Sequence, residues 1–273
     1  MDERLATNRE NWNDRTAVHL DSAFYDVEGW LRDRRQPRAR EVEALGDVTG
    51  LRLLHLQCHF GLDTLAWARA GAHVTGLDFS PTAIDAARDI ARRAGLSDRA
   101  EFVCSDVYDA TSALEHTTFD IVYVSLGALC WLPSVDLWAA QVGALVAPGG
   151  RFYIHDVHPL GWALADDTLA LGHSYFEESE PYVEDSAETY TDASRPLTAT
   201  RSYEWNHGIG EIVTALIHHG LRLEWIVEHD WTVWARFPWL IENGDGTWSA
   251  PPGMPRSPYT FSLLASRVSS PVQ

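Results

Sequence analysis

The sequence predicts an α/β protein: a doubly wound, mostly parallel sheet with helices on both faces. Three observations carry this. From residue 51 to residue 157, short apolar runs alternate with segments of helical spacing, the pattern of parallel strands joined by crossover helices. Several of the runs are continuously apolar, as strands covered on both faces must be. The helical segments between them carry start and stop residues where a helix needs them.

Residues 1–46 read as a polar helical segment with aromatics at Trp12, Phe24, Tyr25 and Trp30, and "GDVTG" (46–50) is a turn. "LRLLHL" (51–56) is the first strand. "GLDTLAWARAGA" (61–72) has apolar residues at Leu62, Leu65, Ala66 and Ala70, a helical spacing, with Gly71 as the stop. "HVTGLD" (73–78) is the second strand. A helix follows over 80–96, with Ser80 as N-cap, Pro81 in the first helical position and Gly95 past the end. Strands follow at 100–106 and 119–125. A helix capped by Ser134 runs to "PGG" (148–150), and a fifth strand spans 151–157.

The alternation stops near Pro159. Residues 159–206 are acidic and aromatic, with one strand at 198–205, and are expected to form a lid or substrate cap over the carboxyl ends of the sheet. A helix over 208–220 and strands at 221–230 and 259–267 complete the core, with a loop of turn dipeptides and prolines between those strands. The expected organisation is an N-terminal helical segment (1–46) over the ligand pocket, an α/β core (47–158), the cap (159–206), and a last segment (207–273) that finishes the core.

Composition excludes several classes of function. The 273 residues are 45% hydrophobic and 22% charged, with a formal net charge of −18 and every one of the 21 basic residues an arginine. An acidic surface of this kind argues against a nucleic-acid partner, which needs a basic patch, and against an anionic membrane surface. Three cysteines, Cys58, Cys104 and Cys130, make no disulfide framework. The charged opening residues predict no signal peptide and no apolar run is long enough to span a bilayer, so a cytoplasmic protein is expected. The sequence leaves the oligomeric state open, a homodimer included.

In an open α/β sheet, ligands bind beyond the carboxyl ends of the strands. Asp78 ends the second strand, 17 residues after Gly61 (78 − 61). There a carboxylate can accept both hydroxyls of a ribose, with Phe79 and Ser80 beside it. Asp106 ends the third strand, where it can accept from an adenine amino group while Val107 faces the base. Ser125, Leu126 and Gly127 end the fourth. A pyrophosphate-binding G-x-G-x-x-G after the first strand is absent: Gln57, His59 and Leu62 fill its places and Gly61 is the only glycine. This makes a nicotinamide dinucleotide the second choice.

These residues resemble the class I S-adenosylmethionine-dependent methyltransferases. "LLHLQCHFG", "HVTGLDFSPTAIDAAR", "FVCSDVYD", "FDIVYVSLGALCWLP" and "LVAPGGRFYIHD" stand in the order and spacing of that family's five motifs. The resemblance is firm over about residues 40–157 and extends in layout over 208–267. It implies a seven-stranded sheet whose last strand, Tyr259–Arg267, runs antiparallel. It implies S-adenosylmethionine as cofactor, S-adenosylhomocysteine as product, and methyl transfer to O, N or C of a small-molecule acceptor. The departures lie in the first motif, where His55 stands in place of an acidic residue and Gln57 and His59 in place of glycines. The cofactor's ammonium would meet backbone carbonyls near Gln57 and Cys58. Its carboxylate would need a donor from Gln57, His59 or the N-terminal segment.

A metal at His55, Cys58 and His59 is disfavoured, because structural zinc wants four convergent ligands, and no metal is expected. Trp12 and Tyr25 are candidates to close the cofactor pocket, where an aromatic face beside a sulfonium is favourable. Trp131, Trp162, Trp205 and His155 are candidates to line the acceptor site. His158 or His207 is the candidate base or positioning group. The competing readings are a nicotinamide-dependent oxidoreductase and a non-catalytic nucleoside-binding domain.

Overall fold

The computed structural model describes residues 2–166, 168–191 and 195–268. The chain opens with three helices, α1 (Glu3–Leu20), α2 (Val27–Asp33) and α3 (Ala39–Leu45). The core then alternates β1 (Arg52–Leu56), α4 (Leu62–Arg69), β2 (His73–Asp78), α5 (Pro81–Ala94), β3 (Ala100–Cys104), a short α6 (Ala110–Ala113), β4 (Phe119–Ser125), α7 (Val135–Leu145) and β5 (Val146–Val157). Next come α8 (Pro159–Ala163), the hairpin strands β6 (Tyr182–Asp185) and β7 (Arg201–Glu204), α9 (Ile209–His218) and β8 (Leu221–His229). Three short strands follow, β9 (Trp231–Thr232), β10 (Ile241–Glu242) and β11 (Trp248–Ser249), and β12 (Thr260–Arg267) ends the fold.

Seven strands form one sheet in the order β3-β2-β1-β4-β5-β12-β8. β12 runs antiparallel to both β5 and β8, while the other pairs are parallel. The strand order reverses between β1 and β4, which opens a crevice at their carboxyl ends.

The predicted caps form. The Ser80 hydroxyl accepts from the Ala83 amide, Pro81 opens α5, and Gly95 takes a left-handed conformation at its end. The apolar stripe Ile84, Ala87, Ile90 and Ala91 then packs on Phe102 and Leu65. The opposite face of the sheet buries Leu54, Leu56, Val122, Val124, Phe152 and Ile154 against Trp138 of α7 and Leu216 of α9. At about 1.5–3 kcal/mol per buried large apolar side chain, these layers are the main source of stability.

Three features differ from expectation. β5 begins at Val146, because Val146 pairs with Phe119 before the Pro-Gly-Gly turn and the register then shifts. The segment after Pro159 holds α8 and the β6–β7 hairpin, of which only the second strand is visible in the sequence. The loop before β12 contains a three-stranded sheet in the order β10-β11-β9. Among the described residues no helix is long and apolar enough to cross a membrane.

Candidate functional site

The turn after β1 explains the missing glycines. Gln57, His59 and Gly61 have φ of 56°, 51° and 76°. These are the alternate positions at which the first motif of the resembled family carries glycine, and all three keep the left-handed conformation that glycine favours. For Gln57 and His59 this costs roughly 1–2 kcal/mol each. Gly61 has no such freedom to change: a Cβ there would lie 2.7 Å from the Phe102 ring. The turn is pinned by Cys58 N–H to the Leu77 carbonyl, Gly61 N–H to the Cys58 carbonyl, and His59 N–H to Asp78.

The Cys58 carbonyl accepts once within the turn and keeps a second lone pair, while the Cys58 side chain is buried with Trp30, Phe60 and Phe102. Burial, with the Asp78 charge, pushes its thiol well above the usual range, so it is a packing residue rather than a nucleophile. His55 likewise turns inward: Nδ1 meets Thr64 Oγ1 at 2.8 Å and Nε2 meets Ser125 Oγ at 3.1 Å. The side chains of His55, Cys58 and His59 have separate partners.

At the end of β2, Asp78 is 7% exposed and accepts from the His59 and Ser80 amides at 2.8 and 2.9 Å. Burial raises its pKa to about 6, against the lowering effect of the Ser80, His59 and Phe79 amides. Ser80 is buried, and its hydroxyl donates to Asn13 of α1 at 2.6 Å. At the end of β3, half-buried Asp106 accepts from the Tyr108 amide through Oδ1, and burial raises its pKa as well. Val107 is a correction: its side chain belongs to the apolar core with Leu129 and Ala110 rather than to an open face.

Across the crevice, Gln57 Nε2 donates to the Ala128 carbonyl at 2.9 Å, while Gln57 Oε1 is buried with no hydrogen-bond partner. Half-buried Leu126 and Gly127 continue this wall, and a Cβ on Gly127 would meet only open space. Ser125 points to the other face of the sheet, toward His55 and Asp63. Asp156 of β5 holds the loop, accepting from the amides of Gly127, Ala128, Leu129 and Val157.

The N-terminal helix covers the crevice with a buried polar stripe at Asn8, Asn11, Arg15 and His19. Trp12 packs edge-on against His59 at 5.1 Å and Trp131 at 5.2 Å. His19 Nδ1 lies 3.1 Å from His59 Nε2. Burial, helped by Arg15, pushes the His19 pKa down to about 3 and that of His59 well below normal, so this contact is between neutral rings. Tyr25 packs on Phe60 and shares a hydrogen bond with Tyr190. Arg15, 5% exposed, donates to Asn11 and Thr189, and its nearest carboxylate, Glu184, is 4.0 Å away. A buried cation with so distant a counter-charge is costly unless an anion joins it.

Of the residues expected to line an acceptor site, Trp162 and Trp205 surround a cavity of about 20 Å³ together with His207, Cys130 and Asp156, and Trp131 stands toward Trp12. His155 is not brought to them. It follows the strand alternation to the opposite face, where it packs against His229 and Trp231. His158 caps α8, its Nδ1 accepting from the Leu160 amide, and its Nε2 meets Glu228 at 2.7 Å, so both ring nitrogens are engaged away from the cavity. His207 is engaged on both nitrogens too, by Leu132 and Glu177. The sequence reading missed Glu204, half-buried on β7, which accepts from Trp162 Nε1 at 2.8 Å; burial raises its pKa. It also missed Arg15, although polar residues at 8, 11, 15 and 19 trace one helix face and were the available signal.

Residues 53–150 match the family of methyltransferase domains. The match spans the α/β core, which resembles the class I S-adenosylmethionine-dependent methyltransferases. A ubiquinone biosynthesis O-methyltransferase of Methylocella silvestris is 35% identical to this chain over 134 residues, 49% of this chain and 47% of that one. The chain thus spans about half the length of the curated relatives it matches. An S-adenosylmethionine-dependent methyltransferase from Mesorhizobium loti superposes with a TM-score of 0.55 at 22% identity, over 84% of this chain and 96% of that one. A glycopeptide N-methyltransferase solved with S-adenosylmethionine bound superposes with a TM-score of 0.53 at 18% identity, over 84% and 91%. At these identities the two structures bear on the fold of this chain alone.

Proposed function

We propose that this protein transfers a methyl group from S-adenosylmethionine to O, N or C of a small-molecule acceptor. The observation that carries the reading is a row of acceptors still short of donors at the ends of three consecutive strands. Gln57 Oε1 is buried and unpaired, Asp78 keeps lone pairs beyond its backbone bonds, and Asp106 is bonded through one oxygen. An ammonium, a ribose diol and an adenine amino group are donors in that same order, so the site fits the cofactor.

In this reading Asp78 holds the ribose hydroxyls, Asp106 the adenine amino group and Gln57 the ammonium. Arg15 takes the carboxylate, which supplies the anion its burial calls for. The cofactor, when bound, offers a methyl group on a sulfonium. Trp12 and Trp131 exclude water around it, and an aromatic face stabilises positive charge there. Trp162 and Trp205 of the cap segment bound the acceptor. Glu204 replaces His158 and His207 as the proposed proton acceptor, because it is bonded to Trp162 of the proposed acceptor wall and burial makes its carboxylate more basic. Residues 159–206 act as the cap and 1–46 as the cofactor cover. Three free cysteines fit a reducing, cytoplasmic setting.

Calorimetric titration with S-adenosylmethionine, S-adenosylhomocysteine and NAD tests the cofactor. The first two should bind, and binding of NAD alone would overturn the proposal. With an acceptor in hand, Glu204→Gln should lower kcat by about 100-fold or more at unchanged cofactor affinity. An unchanged kcat removes Glu204 from the reaction.

A further inference from the structure

The methyl-transfer reading leaves unused a side-chain cluster where the segment before β6 meets the start of α9. His207 is 3% exposed and its ring is fixed from both sides. Nε2 lies 2.7 Å from the Leu132 carbonyl. A carbonyl only accepts, so Nε2 carries a ring proton. Nδ1 faces Glu177 Oε2 at 2.7 Å and Glu211 Oε2 at 4.0 Å, so it either donates a second proton to Glu177 or presents a lone pair. One nitrogen and one oxygen from each carboxylate therefore lie within 4.8 Å of one another. Acceptors converging on acceptors repel unless positive charge stands between them, either a proton or a cation.

We propose that Glu177, His207 and Glu211 bind one divalent transition-metal ion, of the zinc or manganese type, and that the ion pins the cap segment to the core. The donor set supports this. A neutral imidazole with two carboxylates carries two negative charges, which a dication balances. Mixed nitrogen and oxygen ligands suit zinc or manganese, whereas magnesium prefers oxygen and its own water shell.

Two features of local construction agree. The Leu132 carbonyl on Nε2 is the kind of partner that fixes the tautomer and aim of a metal-bound histidine. His207 and Glu211 are four residues apart at the first turn of α9, so their side chains share a face. The observed separations of 2.7 and 4.0 Å bracket the roughly 3 Å between neighbouring ligands about 2.1 Å from one octahedral ion. The Glu177 carboxylate, which now stands in front of Nδ1, has to swing aside by about 2 Å to admit the ion, and its exposed position leaves room for that. Leu132 follows the loop that carries Trp131, and His207 lines the cavity beside Trp205. A bound ion would therefore join three segments: the cap, the start of α9 and the loop after β4. This inference does not depend on the reaction assigned above.

The test uses the full chain, stripped with a chelator, equilibrated with Zn²⁺ or Mn²⁺ and then desalted. Metal per chain is read by emission spectrometry, and Tm by calorimetry. One equivalent should be retained with a raised Tm. Glu177→Gln and Glu211→Gln should each weaken binding by more than about tenfold. No retained metal overturns the proposal and leaves a shared proton as the occupant. Equal retention by wild type and both variants also overturns it, because other histidines then hold the ion. Should Glu211→Gln fail to fold, Glu177→Gln decides alone, since Glu177 lies on an exposed stretch.

Discussion

The ends of β2 and β5 each present a buried aspartate to backbone amides. Asp156 is 2% exposed and accepts from four of them, Gly127, Ala128, Leu129 and Val157. Asp78 is 7% exposed and takes close bonds from two, His59 and Ser80. Burial raises the pKa of both. A carboxylate has about four acceptor positions. Asp156 has filled them with its own loop, so its negative charge is spent on shaping the wall of the crevice. Asp78, even with the Phe79 amide also beside it, has filled fewer, and in the proposed reading the remainder serves a nucleoside. At strand ends, the count of donors already in place separates a residue that builds a site from one that uses it.

The largest effect should come from the saturated carboxylate. Asp156→Asn leaves one oxygen for four amides and should cost about 3 kcal/mol of stability in urea denaturation, with cofactor binding lost as the 127–129 loop relaxes. Asp78→Asn should do the reverse. Cofactor Kd should rise about 100-fold, the worth of two hydrogen bonds to a charged group, with less than about 1 kcal/mol of stability change. If the two variants gave matching losses of stability, the comparison would fail.

The pH dependence sharpens it. The pKa of Asp78 in the fold is about 6, raised by burial from the usual 3.8. The stability this group contributes is complete below pH 3.8 and is lost as pH rises through 6. Ligand binding runs the other way, because hydroxyl donors favour the carboxylate. Cofactor affinity should be flat above pH 7 and about tenfold weaker at pH 5, and Asp78→Asn should abolish that slope in calorimetric titrations. The smallest effect belongs to the neighbouring turn. Gln57→Gly relieves a left-handed glutamine but loses its bond to Ala128, so stability should change by no more than about 1 kcal/mol. A loss of 3 kcal/mol would mean that the Gln57–Ala128 link, not the turn, holds the crevice together.

The sequence made legible whatever is decided locally. β2 and α5 fall where an apolar run and the Ser80, Pro81 and Gly95 signals put them, and Asp78 and Asp106 are readable because strand ends are. The P-G-G turn hid the start of β5, since only the pairing of Val146 with Phe119 makes it a strand. β6 and β9 to β11 are two to four residues long, too short for a period, and they exist through pairing with distant partners. Glu204 was unreadable for the same reason, and Arg15 showed only as one of a polar helix face: each acquires its meaning where α1 meets the β6–β7 hairpin. His155 shows the converse error, since proximity in sequence to Asp156 hid the alternation that sends the two to opposite faces.

That meeting of α1 and the hairpin has a kinetic consequence. The Asn8 side chain both donates to the Tyr203 carbonyl and accepts from its amide, as a neighbouring strand would. Asn11 donates to Ala199, and Asp14 accepts from Thr198 and Ala199. Two segments that lie almost two hundred residues apart in the chain are thereby riveted into one unit. In the proposed reaction, with both as covers, that unit has one opening rate. The spent cofactor and the methylated acceptor should then leave in the same event, and stopped-flow release of the two should follow a single exponential rather than an ordered pair.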